Sequence, residues 1–192
     1  MKQDNLFKFG VPNTTAPDKI DEYVYKNEYA VQETSPGERL IISCKKDQLN
    51  LCLDLIEDPQ SQYWVLYVLT VSRRDIPPGR YQIPQPITKE ELQCFCSKYK
   101  GYFETDSRAH LWIGRTGSKD LIVYDRHNVI YSYEDQEHRI AILKNRKYGK
   151  AGDIRFPVPH VHMYNSENDV FEDAIMDDYA WKYFPLAEGD ED

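Results

Sequence analysis

Three short apolar runs, Leu111 to Ile113, Leu121 to Tyr124 and Val129 to Tyr133, constrain this chain more than anything else in it. They are separated by Gly114-Arg-Thr-Gly117-Ser and by Asp125-Arg-His-Asn128. Aromatic, aliphatic and β-branched residues suit a pleated surface, whereas Gly, Asp and Asn supply positive φ and side-chain-to-backbone bonds at turns. The pattern predicts an antiparallel meander over residues 109–133.

Around that meander we expect one α+β domain over residues 1–192, mainly antiparallel and flanked by three to four helices. A chain of this length buries roughly 70% of its unfolded surface and needs no staples. Its four cysteines form no C-x-x-C pair, which argues for reduced, packed thiols. The N-terminus lacks the apolar stretch of a signal peptide, and no apolar run reaches the about 18 residues of a membrane span, so a cytoplasmic protein without a membrane partner is expected.

Residues 1–36 read as an irregular segment of turn formers with a possible edge strand around Tyr23 to Tyr29. Arg39 to Ser43 is a strand candidate, and Leu49, Cys52, Leu53 and Ile56 share one face of a short helix. Tyr63 to Val71 is apolar on both faces, as a central strand would be, and Arg74 to Pro86 reads as a loop because of Pro77-Pro78-Gly79. Thr88 and Glu91 form a capping box ahead of a helix whose stripe is Leu92, Phe95, Cys96 and Tyr99, with Cys94 turned outward. Asp135 to Asn145 predicts a further helix, and Pro157 and Pro159 hold Val158 to His162 extended. Residues 166–192 read as an acidic helix opened by a second capping box, Ser166 to Asp169, and closed by a disordered tail.

Charge is unevenly placed. Of the net −8, ten acidic residues against one basic fall between Glu167 and Asp192, leaving 23 basic against 22 acidic elsewhere. Carboxylates interleaved with rings there suggest a docking surface for a basic protein, made of Glu172, Asp173, Asp177, Asp178, Tyr179 and Trp181. Arg126 and His127 would add to it from the tip of the second meander turn. On this reading the protein is a binding module, not an enzyme, and needs no cofactor. A basic nuclease-type effector neutralised by surface occlusion would fit, as with an immunity or antitoxin protein.

A second reading is a metal-dependent enzyme. His160 and His162 lie two apart in an extended segment and so point to one side, where Glu167 could complete a facial set, with Glu172 as the other candidate carboxylate. The spacing of His160, His162 and Glu167 resembles the first metal motif of cupins, with Ile154 and Ala174 where that motif has glycines. Nucleic-acid binding by the basic stretch Arg139 to Arg155 is a third reading, disfavoured by the acidic neighbour. No G-x-S-x-G, no phosphate loop ahead of a helix and no Cys–His pattern offers nucleophilic catalysis.

In Leu111-Trp-Ile, Leu121-Ile-Val-Tyr-Asp and Val129-Ile-Tyr-Ser-Tyr-Glu-Asp the chain resembles the central strands of the SUKH superfamily over residues 109–143. These are small α+β proteins that include many bacterial toxin-immunity proteins. The resemblance implies an antiparallel sheet with flanking helices and a protein partner, and it assigns no functional residue.

Overall fold

Strands β7 (Ala109–Arg115), β8 (Leu121–Tyr124) and β9 (Val129–Tyr133) form the meander, with Trp112 opposite Val123 and Val123 opposite Tyr131. Its turns use the expected chemistry. Gly117 has φ +71° and Asn128 φ 66°, and the Asp125 carboxylate accepts the amides of His127 (2.9 Å) and Val129 (3.1 Å). The computed structural model describes residues 6–16, 18–35 and 37–190.

Among the described residues, nine strands make the main sheet. Before the meander come β3 (Glu28–Thr34), β4 (Gly37–Ser43), β5 (Tyr63–Leu69) and β6 (Gly79–Gln82); after it come β10 (Gly149–Lys150) and β12 (Lys182–Phe184), in the order β10-β3-β4-β9-β8-β7-β5-β6-β12. All named pairs are antiparallel except β10 with β3. A smaller sheet joins β1 (Phe9–Pro12), β2 (Ile20–Glu22) and β11 (Val161–His162), in the order β11-β1-β2. With the four helices α1 (Gln48–Ile56), α2 (Lys89–Thr105), α3 (Gln136–Asn145) and α4 (Asp169–Asp178), this is a single α+β domain.

Side-chain alternation assigns each face a partner layer. Leu40, Ile42, Leu111, Ile122 and Ile130 face the helices in the main core with Leu49, Cys52, Phe95 and Phe103. The intervening Ile41 and Val129 join Ala30, Phe9, Tyr25 and Ile154 in a second core, under the small sheet and the segment that follows β10. Two buried tyrosines bond each other through their hydroxyls: Tyr67 and Tyr102 meet at 2.7 Å between β5 and α2.

Helix α2 begins as its capping box dictates. Glu91 N–H donates to Thr88 Oγ1 (3.2 Å), and the Glu91 carboxylate accepts the Thr88 amide (2.8 Å). Thr88→Ala removes the first of these, and we expect it to cost about 1 kcal/mol in urea denaturation at unchanged m-value. Cys94 is exposed on this helix, whereas Cys44, Cys52 and Cys96 are buried.

Several boundaries differ from those the sequence suggests. The segment 1–36 holds β1, β2 and the whole of β3, while Tyr23 and Tyr25 lie between β2 and β3 with Tyr25 buried. Residues 1–5, Pro17 and Pro36 lie outside the described residues. The loop expected over Arg74 to Pro86 contains β6, because alternation resumes after Pro78 and Gly79 leaves room for the Tyr183 ring of β12. Ser166 to Asp169 does not cap α4: a 3-10 turn (Ser166–Asn168) precedes the helix, the N-cap Asn168 makes no side-chain cap bond, and the Asp169 carboxylate goes to Arg73 and Arg108. The tail expected to be disordered is held in part, since buried Asp190 takes two bonds from Arg80; residues 191–192 lie outside the described residues.

Candidate metal centre

Two pieces of chain distant in sequence meet under the small sheet. The β8–β9 turn carries His127. The segment running into β11 carries His160 and His162, and β11 is held by its pairing with β1, Phe9 opposite His162 and Gly10 opposite Val161. One nitrogen from each of the three imidazoles lies within 4.8 Å of the others. The expectation that His160 and His162 point to one side is met: their ring centroids are 5.2 Å apart, and that of His127 lies 5.5 and 4.8 Å from them.

Two of the rings are oriented from behind. Asp125 Oδ2 lies 3.0 Å from His127 Nδ1, and the Pro157 carbonyl oxygen lies 2.9 Å from His160 Nδ1. Both acceptors demand a proton on Nδ1, which leaves the lone pair of each neutral ring on Nε2. His162 Nε2 is buried with no hydrogen-bond partner among the described residues. An aromatic shell surrounds the set: Phe156 stacks on His127 at 4.2 Å, and the Phe9 centroid lies 5.0 Å from His160 and 5.8 Å from His162.

Electrostatics keep His162 in the ligand form. Burial, the nearby Arg126 charge and the His127 and His160 rings pull its imidazole down to about 3. Burial by itself would raise the Asp125 carboxyl, but His127, His110 and Lys8 hold it below the usual range, so it stays an acceptor. Lys8, fully buried with its ammonium 3.8 Å over the Tyr124 ring, is itself pushed down to about 8 by burial.

Other expected site residues are elsewhere. Glu167 is exposed in the 3-10 turn and bonds Ser166, outside the imidazole cluster. Glu172 is fully buried: Arg108 and Ser72 bind its carboxylate, which removes it both from a docking surface and from the metal set. Asp173 pairs with Arg74 at 2.7 Å, and Asp178 pairs with Lys98 at 2.6 Å and accepts the Tyr99 hydroxyl at 2.7 Å. Tyr179 and Trp181 pack on each other and on Phe95, with the Trp181 indole donating to Ile175 O, while Asp177 is exposed. Arg126 and His127, expected at a projecting tip, are each only 7% exposed, because the small sheet and residues 151–160 cover that turn. In the basic stretch Arg139 is buried on the carbonyls of Leu55, Tyr133 and Glu134.

The sequence signal that points to His127 is the Asp125-x-His127 spacing, a carboxylate placed to hold an imidazole tautomer. Among the described residues no helix is long and apolar enough to cross a membrane. Comparisons with family models, curated proteins and solved structures found no match.

Proposed function

We propose that this protein binds a zinc-type divalent metal ion through His127, His160 and His162 and acts as a metal-dependent enzyme of the hydrolytic or hydrating class. One observation carries the reading: three imidazoles each bring a nitrogen within 4.8 Å of the others, and two of the rings are held by hydrogen bonds at Nδ1. Imidazole sets suit zinc and its neighbours, and a carboxylate or carbonyl behind a ligating histidine is the usual orienting arrangement. Nitrogens around a tetrahedral zinc at about 2.0–2.1 Å sit about 3.3 Å apart, so small side-chain rotations close the site. Three protein ligands leave a fourth position for water, whose pKa such an ion lowers to about 7.

The docking reading has less support than the metal reading. Of the four carboxylates named for it, Glu172, Asp173 and Asp178 are bound to Arg108, Arg74 and Lys98, and Asp177 is exposed.

Metal analysis of the purified protein and calorimetric titration of chelator-stripped protein with Zn²⁺ test the proposal. A stoichiometric ion is expected, with affinity lost in His127→Ala and in His162→Ala. Free Zn²⁺ at about a hundred times its Kd adds about 2.7 kcal/mol, or about 5–10 °C in Tm for a chain of this size. Substoichiometric metal together with an unmoved Tm in Zn²⁺, Fe²⁺ and Mn²⁺ would dispose of it.

A further inference from the structure

A cavity of about 330 Å³ opens on the same side of the main sheet, with His127 as one wall. Its size is that of small-molecule sites. The register explains its lining: His110 and Trp112 on β7, Val123 on β8, Tyr131 and Tyr133 on β9 and Arg39 on β4 all project from the face opposite the helices, and Phe156 closes one side.

Two features of this cavity point to a ligand. The first is an unmatched, pre-organised cation. Arg39 lies 4.0 Å over the Tyr131 ring and donates to Gln32 Oε1 and to the Tyr133 hydroxyl, both at 2.7 Å, yet among the described residues no carboxylate lies within 4 Å of it. In a chain of net charge −8, an arginine held flat with no counter-ion is a place kept for an anion. The second is a pair of orphaned polar atoms: His110 Nε2, on a side chain 7% exposed, and Trp112 Nε1 are buried without a hydrogen-bond partner among the described residues. Buried polar atoms without partners cost free energy, and the indole N–H can only donate, so an acceptor oxygen satisfies it. Of the remaining walls, Trp112, Tyr131 and Phe156 offer ring faces and edges, and the two carboxylates there, Asp125 and Asp190, are already engaged by His127 and by Arg80, away from Arg39.

From these we infer that the cavity is a binding site for a small aromatic carboxylate, its ring between the aromatic walls and its carboxylate on the Arg39 side. The site adjoins the metal centre, sharing with it the His127 ring, the Asp125 carboxylate behind that ring and the Phe156 ring stacked on it, while Arg39, His110, Trp112 and Tyr131 belong to the cavity.

The test uses chelator-stripped protein and 2-naphthoate, followed by calorimetry and by the indole N–H resonances of Trp64, Trp112 and Trp181, with Trp112→Phe assigning the second. Saturable binding at about millimolar concentration or tighter, with the Trp112 resonance moving and those of Trp64 and Trp181 still, is the expected result. Arg39→Gln, and the neutral analogue 2-naphthamide, should each weaken binding about tenfold or more, as loss of a charge-assisted contact does. Cyclohexanecarboxylate, with the charge and no aromatic ring, should bind more weakly than naphthoate. Absence of saturable binding, binding indifferent to Arg39→Gln, or equal shifts of all three indoles would overturn the inference. A zinc titration of Arg39→Gln reads the metal centre independently, so failure of one site is distinguishable from failure of the other.

Discussion

Replacing Arg108 with alanine should destabilise this protein by about 3–5 kcal/mol or more, the usual scale for a broken buried ion cluster. Arg108 is fully buried where α2 ends and β7 begins. Its guanidinium binds both oxygens of Asp106, at 2.8 and 2.9 Å, Asp169 at 2.9 Å, the Asn165 carbonyl at 2.8 Å and Glu172. Asp106 and Glu172 side chains are likewise without solvent contact, so alanine strands two carboxylates that water cannot reach. Total stability of such a domain is about 5–15 kcal/mol, and the upper end of the loss approaches it. Urea denaturation of the variant beside the parent protein measures the loss. Glu172→Gln, which keeps the shape and removes one negative charge, should fold with a smaller loss and partly rescue Arg108→Ala. A cost under about 1 kcal/mol, or no rescue by Glu172→Gln, would show that the cluster does not clamp α4 to the sheet.

Asp125→Asn should weaken Zn²⁺ binding about 10- to 100-fold while leaving the fold in place. The asparagine Oδ1 can still accept the His127 and Val129 amides that hold the turn. What changes is the group facing His127 Nδ1: an amide NH2 donates where a carboxylate accepted. The proton then moves to Nε2, the nitrogen the ion needs bare. Chelator-competition titration measures the affinity, and the Tm of the metal-free variant checks the fold. An unchanged affinity at unchanged fold would mean that His127 is not a ligand or that Asp125 does not orient it.

Much of the architecture is legible in the sequence because its signals are local. The meander, the α2 capping box and the outward Cys94 follow from alternation, turn chemistry and helical period within a few residues. Elements that exist only by pairing with a distant partner are not. Strand β6 follows a double proline and forms because β5 and β12 flank it, and β1 and β11 are too short to announce themselves without each other. The site divides the same way. His160 and His162 are two apart, and their common direction is a property of extended backbone, but the third imidazole arrives from a turn more than thirty residues earlier and is placed only by the small sheet. Acidity at the C-terminal end reads as surface because its counter-charges, Arg73, Arg74, Arg80, Lys98 and Arg108, are scattered over earlier elements. Sequence proximity counts charges, and only tertiary structure cancels them.

The corner that gathers the histidines is fastened lightly, since β11 is two residues long and only two residue pairs join it to β1. An ion gripped there would act as a cross-link between the meander and the later chain, closing a loop of some three dozen residues much as a disulfide would. Chelation would then loosen this one lobe and leave the helix-backed side of the sheet intact. Metal exchange would keep time with the breathing of a small flap and not with global unfolding.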